Sequence, residues 1–211
     1  MKARHLAISN RYSESEDYLT ICVINDVTAI AVVADGMGGL SFGSIAATIA
    51  VESIVEYLKE NINEVDSQQT LIEAFGYADK KIREKSIQLK SEMGTAVAAV
   101  LIIGKHAYVC NQGNVRVYLN TRTGNVQLTD DHVKEIGYGH RRLTRCLKGA
   151  GLRDDINITE HHLMAGSIIS VCSDGFYKTV LEDWTKLSDE QISTILESPE
   201  DDCTLVEISI Q

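Results

Sequence analysis

Proline is all but missing from this chain. Pro199 is the only one in 211 residues, which excludes a Pro-rich hinge or linker. No CxxC pair occurs. The five cysteines, Cys22, Cys110, Cys146, Cys172 and Cys203, are odd in number, scattered and mostly set inside apolar runs. That usage speaks against a disulfide framework or a zinc site and for buried free thiols in a cytosolic protein. No apolar run approaches the roughly 20 residues of a membrane span. The longest, TAVAAVLIIG, is short and rich in Ala and β-branched residues, as a buried strand is. The opening MKARHLAISNRYSESEDY has no apolar core of signal-peptide length. These absences lead us to expect a cytoplasmic protein. Cations are in the minority, 20 Lys and Arg against 30 Asp and Glu, for a formal charge of −10. Such a balance argues against nucleic acid and anionic membrane as partners. Internal repeats and low-complexity tracts are also missing.

What remains is ordinary globular material, 44% hydrophobic and 24% charged, long enough for a substantial core. The length predicts a single domain over 1–211. Residues 3–9 and 18–24 read as strands, and Asn25-Asp26 marks a turn before VTAIAVVA. Apolar residues at helical spacing predict one helix over 43–62 and a second over 67–90. TAVAAVLII, HAYVCNQG, VRVYLN and VQLT follow as strands. Residues 131–155 are polar and irregular with weak helical character. SIISVCSD, a helical stretch over 176–197 and TLVEISI close the chain. Strands joined by tight turns, with two helices in succession, predict an α+β fold: antiparallel sheets packed face to face, helices outside.

Four acidic segments stand out: Ser15-Glu16-Asp17, Asp35-Gly36-Met37-Gly38-Gly39, Ser173-Asp174-Gly175 and Asp201-Asp202. Three abut apolar runs: IAVVA ends at Asp35, SIISVC leads to Asp174, and CTLVEISI follows Asp202. Carboxylates at the ends of buried strands come close together when those strands share a sheet, and they repel unless a cation sits among them. Oxygen donors without His or Cys favour a hard cation, Mg²⁺ or Mn²⁺. On residues alone, the pattern is that of a two-metal hydrolase.

The motifs go further. VVADGMGG, MGTAVAAVLI, AYVCNQGNVRVYL, LTDDH, SVCSDGF and DDCTLVEI occur in the order in which the metal-dependent protein Ser/Thr phosphatases (PPM class, protein phosphatase 2C type) carry their motifs. The chain resembles a compact, bacterial-like member of that family over nearly its whole length. The resemblance implies a central β-sandwich of two antiparallel sheets flanked by α-helices in four layers, α-β-β-α. It implies hydrolysis of phosphoserine and phosphothreonine on proteins by a metal-activated water, with two Mn²⁺ or Mg²⁺ ions. A phosphorylated protein is the implied substrate and an opposing Ser/Thr kinase the implied counterpart. The metal ligands it implies are Glu16, Asp35, the Gly36 carbonyl, Asp174 and Asp201, with Asp202 in the family's Asn/Asp place. Asp17 helps order the site, and Arg11 holds the substrate phosphate, for which a guanidinium fork is well shaped.

Three departures accompany the resemblance. Arg11 precedes Asp17 by six residues, where the family usually has five. Asn114 stands where an Asp would help bind a third, weaker metal. The 131–155 stretch is short where relatives often carry a substrate-side flap, which predicts an open site. LTRCLKGAG resembles the family's L-T-r-x-L-G. His140, His161 and His162 read as solvated, and His132 as structural. The departures leave a second reading, a catalytically weak phosphoprotein-binding module on the same fold.

Overall fold

A computed structural model describes residues 1–10, 14–37, 42–62, 66–137, 140–152, 156–181 and 183–211. Two five-stranded antiparallel sheets face each other. One contains β2 (Asp17–Asn25), β3 (Thr28–Gly36), β4 (Thr95–Ile103), β5 (His106–Gln112) and β10 (Ile158–His162). Its strand order is β10-β5-β4-β3-β2. The other contains β1 (Lys2–Ile8), β6 (Arg116–Thr121), β7 (Gly124–Gln127), β11 (Ile168–Cys172) and β12 (Cys203–Ser209). Its order is β1-β12-β11-β6-β7. Neighbouring strands are antiparallel throughout.

Burial explains the strand sequences. Ala29, Ala31 and Val33 of β3 and Ala98, Val100 and Ile102 of β4 face inward, onto Val117, Ile169, Val171, Val206 and Ile208 of the second sheet. The alternate residues Ile30, Val32, Val97, Ala99 and Leu101 face outward into a separate core. Because both faces of these strands are covered, they read as unbroken apolar runs instead of alternating ones.

That outer core is closed by α1 (Gly43–Asn61) and α2 (Ser67–Leu89), packed on one sheet as expected. Among the described residues, no side chain caps the start of α1. A cap is worth about 1 kcal/mol, whereas burying Val51, Ile54, Val55 and Leu58 contributes roughly 1.5–3 kcal/mol each, so packing decides that helix. In α2 the Asp66 carboxylate accepts from the Gln68 and Gln69 amides, and Lys90 ends the helix in a left-handed conformation.

The layer over the second sheet is thinner. The helical stretch anticipated over 176–197 is broken into α3 (Asp174–Thr179), a 3-10 turn (Trp184–Lys186) and α4 (Asp189–Ile195). A capping box of Ser188 and Gln191 starts the last piece afresh. Phe176, Trp184, Ile192 and Leu196 pack there on Cys172, Cys203 and Leu205.

The irregular, weakly helical reading of 131–155 is wrong over 133–137 and 140–143. β8 (Val133–Gly137) and β9 (His140–Leu143) form a hairpin, and β10, unanticipated, adds an edge strand beside β5. These strands are short and largely solvated, so their sequences carry no apolar period to read.

Candidate active site

The fold brings the four acidic segments to one end of the sandwich. Asp17 on β2 lies directly across from Asp35 on β3, sharing a face, so two carboxylates crowd at the strand ends. β11 and β12 are neighbours in the opposite sheet. Asp174 follows the first of them as the first residue of α3, and Asp201 and Asp202 precede the second. The result is a cavity of about 350 Å³ lined by Glu16, Asp35, Gly36, Asp174, Asp201 and Asp202. No histidine is among the described residues lining it. His161 and His162 sit on β10, in the strand paired with β5.

Close backbone approach fixes two glycines. A Cβ on Gly36 would lie 2.6 Å from the Gly43 carbonyl carbon and 2.8 Å from the Glu16 oxygen; on Gly175 it would lie 2.1 Å from the Asp202 oxygen. Each is the residue after a cavity aspartate, so the glycine lets the strand end press against its neighbour while the carboxylate turns inward. The Gly36 amide donates to the Glu16 carbonyl at 3.1 Å, the Met37 amide to Gly94 at 3.0 Å, and the Thr95 hydroxyl to the Asp35 carbonyl at 2.7 Å.

Crowding shows in the protonation energetics. Burial, then the charges of Asp17 and Asp174, hold Asp35 well above the usual carboxylate range. Burial pushes Asp17 up to about 7, against the opposing pull of hydrogen bonds from Thr204 and Ser173. Glu16 is raised by burial, then by Asp202 and Asp201, and Asp201 by burial, then by Asp174. Asp17 Oδ2 is buried with no hydrogen-bond partner among the described residues. Raised carboxylates and an orphaned buried oxygen, all oxygen donors, are the chemistry that suits a hard divalent cation. Among the described residues, no three His, Cys, Asp or Glu side chains already converge as a single-ion cage.

The two adjacent acids have different surroundings. Asp202 accepts from the Asn10 amide and Asn10 Nδ2, each at 2.8 Å, and from the Glu16 amide at 2.7 Å. Asp201 instead stands close enough to Asp174 for the two charges to raise it. Asp202→Ala would leave two backbone donors unanswered, at about 1–3 kcal/mol each. Its melting temperature in EDTA should fall by roughly 5–15 °C, and Asp201→Asn should cause no fall. Circular dichroism melts check this; a wild-type melt for Asp202→Ala would mean that those amides find other acceptors.

A network behind the cavity joins two further motifs. Arg116 grips Asp131 with both arms, at 2.9 and 2.8 Å, and stacks 3.7 Å from the centre of the Tyr177 ring. The Tyr177 hydroxyl donates to the Asn114 carbonyl at 3.0 Å. His132 is structural, as expected: its Nδ1 accepts from the Gly113 amide at 3.2 Å.

Sequence reasoning missed two cations. Lys178, one turn along α3, donates to Asp174 Oδ2 at 2.6 Å, the oxygen to which Asn114 Nδ2 also donates at 2.8 Å. The i,i+4 spacing of SDGFYK was the available signal. Arg141 of β9 also lines the cavity, beside Val133 and Leu143. The β8–β9 hairpin therefore walls a site expected to be open on that side. Arg11 lies outside the described residues.

The family profile described as Protein phosphatase 2C matches residues 9–208. The chain belongs to the protein phosphatase 2C family. Among relatives of this phosphatase family, the serine/threonine phosphatase stp of Listeria monocytogenes is 28% identical over 180 residues, 74% of this chain and 70% of the relative. The fold agrees with the serine/threonine phosphatase PstP/Ppp of Mycobacterium tuberculosis, with a TM-score of 0.81 at 21% identity over 99% of both chains. The catalytic domain of PstP in complex with two manganese ions gives a TM-score of 0.79 at 21% identity, covering 98% of this chain and 96% of that one. The antiparallel sandwich with helices on both outer faces is thus the fold of this phosphatase family.

Proposed function

We propose that this chain is a metal-dependent protein phosphatase that hydrolyses phosphoserine and phosphothreonine, taking two Mn²⁺ or Mg²⁺ ions. The observation that carries the reading is the convergence of Glu16, Asp35, Asp174 and Asp201 on one cavity, with Asp17 raised behind them. When bound, the ions supply Lewis acidity, which makes a water nucleophilic near neutral pH and offsets charge on the phosphoryl oxygens. Asp35, Glu16, Asp174, Asp201 and the Gly36 carbonyl are the residues to hold them. Asp17 lies across the strand pair from Asp35 and helps order the site, and Asp202 fixes the segment carrying Glu16 through its amide. Arg141 also lines this cavity, its guanidinium 3.8 Å from Asp131; the phosphate-holding role of Arg11 rests on the family resemblance. The substrate is a phosphorylated protein, opposed by a Ser/Thr kinase. No helix among the described residues is long and apolar enough to cross a membrane, and the free cysteines agree with a cytoplasmic setting.

One observation favours the second reading, a weakly catalytic phosphoprotein-binding module: Lys178 and Asn114 both engage Asp174 Oδ2 and compete with any cation for it. Phosphate release from phosphothreonine and phosphoserine peptides, measured with Mn²⁺, with Mg²⁺ and in EDTA, separates the two. The phosphatase reading expects metal-dependent turnover, abolished by EDTA and restored on adding metal. Tight peptide binding without turnover in either metal would establish the binding module instead.

A further inference from the structure

Beside the acidic cavity runs a second hollow, of about 690 Å³, with the opposite charge. Among the described residues, Arg141, Arg142, Arg145 and Lys148 line it with one carboxylate, Glu92, and Arg141 also lies 3.8 Å from Asp131. In a chain with ten more acids than bases, a lining in which four of the described residues are cations and one is an anion is a local inversion. Met37, Arg141 and Leu143 line both hollows, so the basic groove is continuous with the acidic cavity. Across the hairpin, Lys134 stands opposite Arg142 and Glu135 opposite Arg141. Ala150 and Leu152 add apolar wall, so the groove offers contact to a polypeptide as well as to charge.

Arg141 and Arg142 are carried by β9, and the loop that carries Lys148 is held by its backbone. The Asp79 carboxylate on α2 accepts from the amides of Lys148, Gly149 and Gly151, at 3.1, 2.8 and 2.7 Å. Leu147 exchanges two backbone hydrogen bonds with Thr95, at 2.9 and 3.0 Å. Thr95 in turn donates to the Asp35 carbonyl. The basic loop is therefore tied to the strand that adjoins the cavity carboxylates, and its charges lie at a set distance from the reacting end. Arg142 and Lys148 are exposed.

We propose that this groove holds an acidic stretch of the substrate polypeptide next to the phosphoresidue, so that the enzyme prefers phosphosites flanked by Asp, Glu or a second phosphoresidue. The proposal deepens the phosphatase reading and rests on it for turnover, but binding tests it separately. The complementary charges act at the surface, so the preference falls as salt rises.

The test uses phosphothreonine peptides that differ only in acidic or basic flanks, placed before or after the phosphoresidue, with p-nitrophenyl phosphate as a substrate that has no flank. In the wild-type enzyme with Mn²⁺, kcat/KM should be at least about tenfold higher for an acidic flank on one side. R142E/K148E should abolish or invert that preference and leave p-nitrophenyl phosphate hydrolysis within about twofold. R142A/K148A, a milder pair, should reduce the preference part-way. Fluorescence anisotropy of the same peptides reads the groove without turnover. Loss of all phosphate release with charge-selective binding intact would reject the phosphatase reading and leave the groove standing. Equal binding of acidic and basic peptides, or selectivity that survives R142E/K148E, overturns the groove. So does a single-stranded oligonucleotide that binds more tightly than the acidic peptide and competes with it.

Discussion

Asp35→Asn should remove nearly all phosphatase activity and, in the same protein, raise the melting temperature measured in EDTA. The two effects have one cause. Asp35 reaches the cavity from the end of β3, partly buried and close to Asp17 and Asp174, whose charges oppose its ionisation. Its negative charge is useful only to a bound cation. An amide of the same shape keeps the packing but lacks that charge. If several kcal/mol of cation-derived stabilisation is lost, then at about 1.4 kcal/mol per decade kcat should drop roughly a thousandfold. Without metal, the substitution removes a repulsion among crowded carboxylates, so the fold gains up to a few degrees. Steady-state kinetics with saturating Mn²⁺ and a melt in EDTA check both halves. Wild-type turnover would show that Asp35 does not serve the reaction, and a lower melting temperature would show that its charge is compensated by the protein itself.

The metal-free protein should also lose stability as pH rises from about 5 to 8, and Mn²⁺ should restore it. Asp17 moves from its ordinary value of 3.8 up to about 7 on folding, chiefly through burial. Below 3.8 it is protonated in both states, and nothing is lost. Between the two values the unfolded chain gives up the proton while the native state keeps it, so each step up in pH favours unfolding until the native carboxyl ionises. A rise of about three units corresponds to roughly 4 kcal/mol at most. Asp35, Glu16 and Asp201 shift the same way and steepen the loss. His161, held down by burial, works in the opposite direction within this window, so the deciding comparison is with Asp17→Asn, whose slope should be flatter. A ligand that binds only the native state adds about 2.7 kcal/mol at a hundredfold excess over Kd, roughly 5–10 °C for a chain of this length. Melts of EDTA-treated and Mn²⁺-loaded protein across this range measure both. Rising stability in EDTA, with Asp17→Asn behaving like wild type, would mean that the carboxylates are not strained together.

Much of this was legible before any coordinates. Asp35 and Asp174 sit where apolar runs stop, and a run stops where the sheet edge meets solvent. The doubly buried β3 and β4 announced themselves by composition, since a strand covered on both faces has no polar residue to alternate with. Helices α1 and α2 were readable because one face of each is packed and the other wet. The β8–β9 hairpin and β10 were not, because a short strand with a solvated face leaves no period. Nor was the different treatment of Asp201 and Asp202. Adjacent identical residues differ only in what they meet, and Asn10, almost two hundred positions away, meets one of them.

The sequence by itself determined the chemistry on offer: oxygen donors in four segments, glycines where backbones must touch, apolar strands to carry them, and the family to which the ordered motifs belong. These are local properties, set by each residue and its near neighbours. Only the tertiary structure decided which charges share space. It placed Asp17 against Asp35, gave Asp174 to Lys178 and Asn114, and gathered Arg141, Arg142, Arg145 and Lys148 beside the acidic cavity. Charge interaction depends on distance and on the water excluded between groups, and neither quantity exists until strands distant in sequence are packed together.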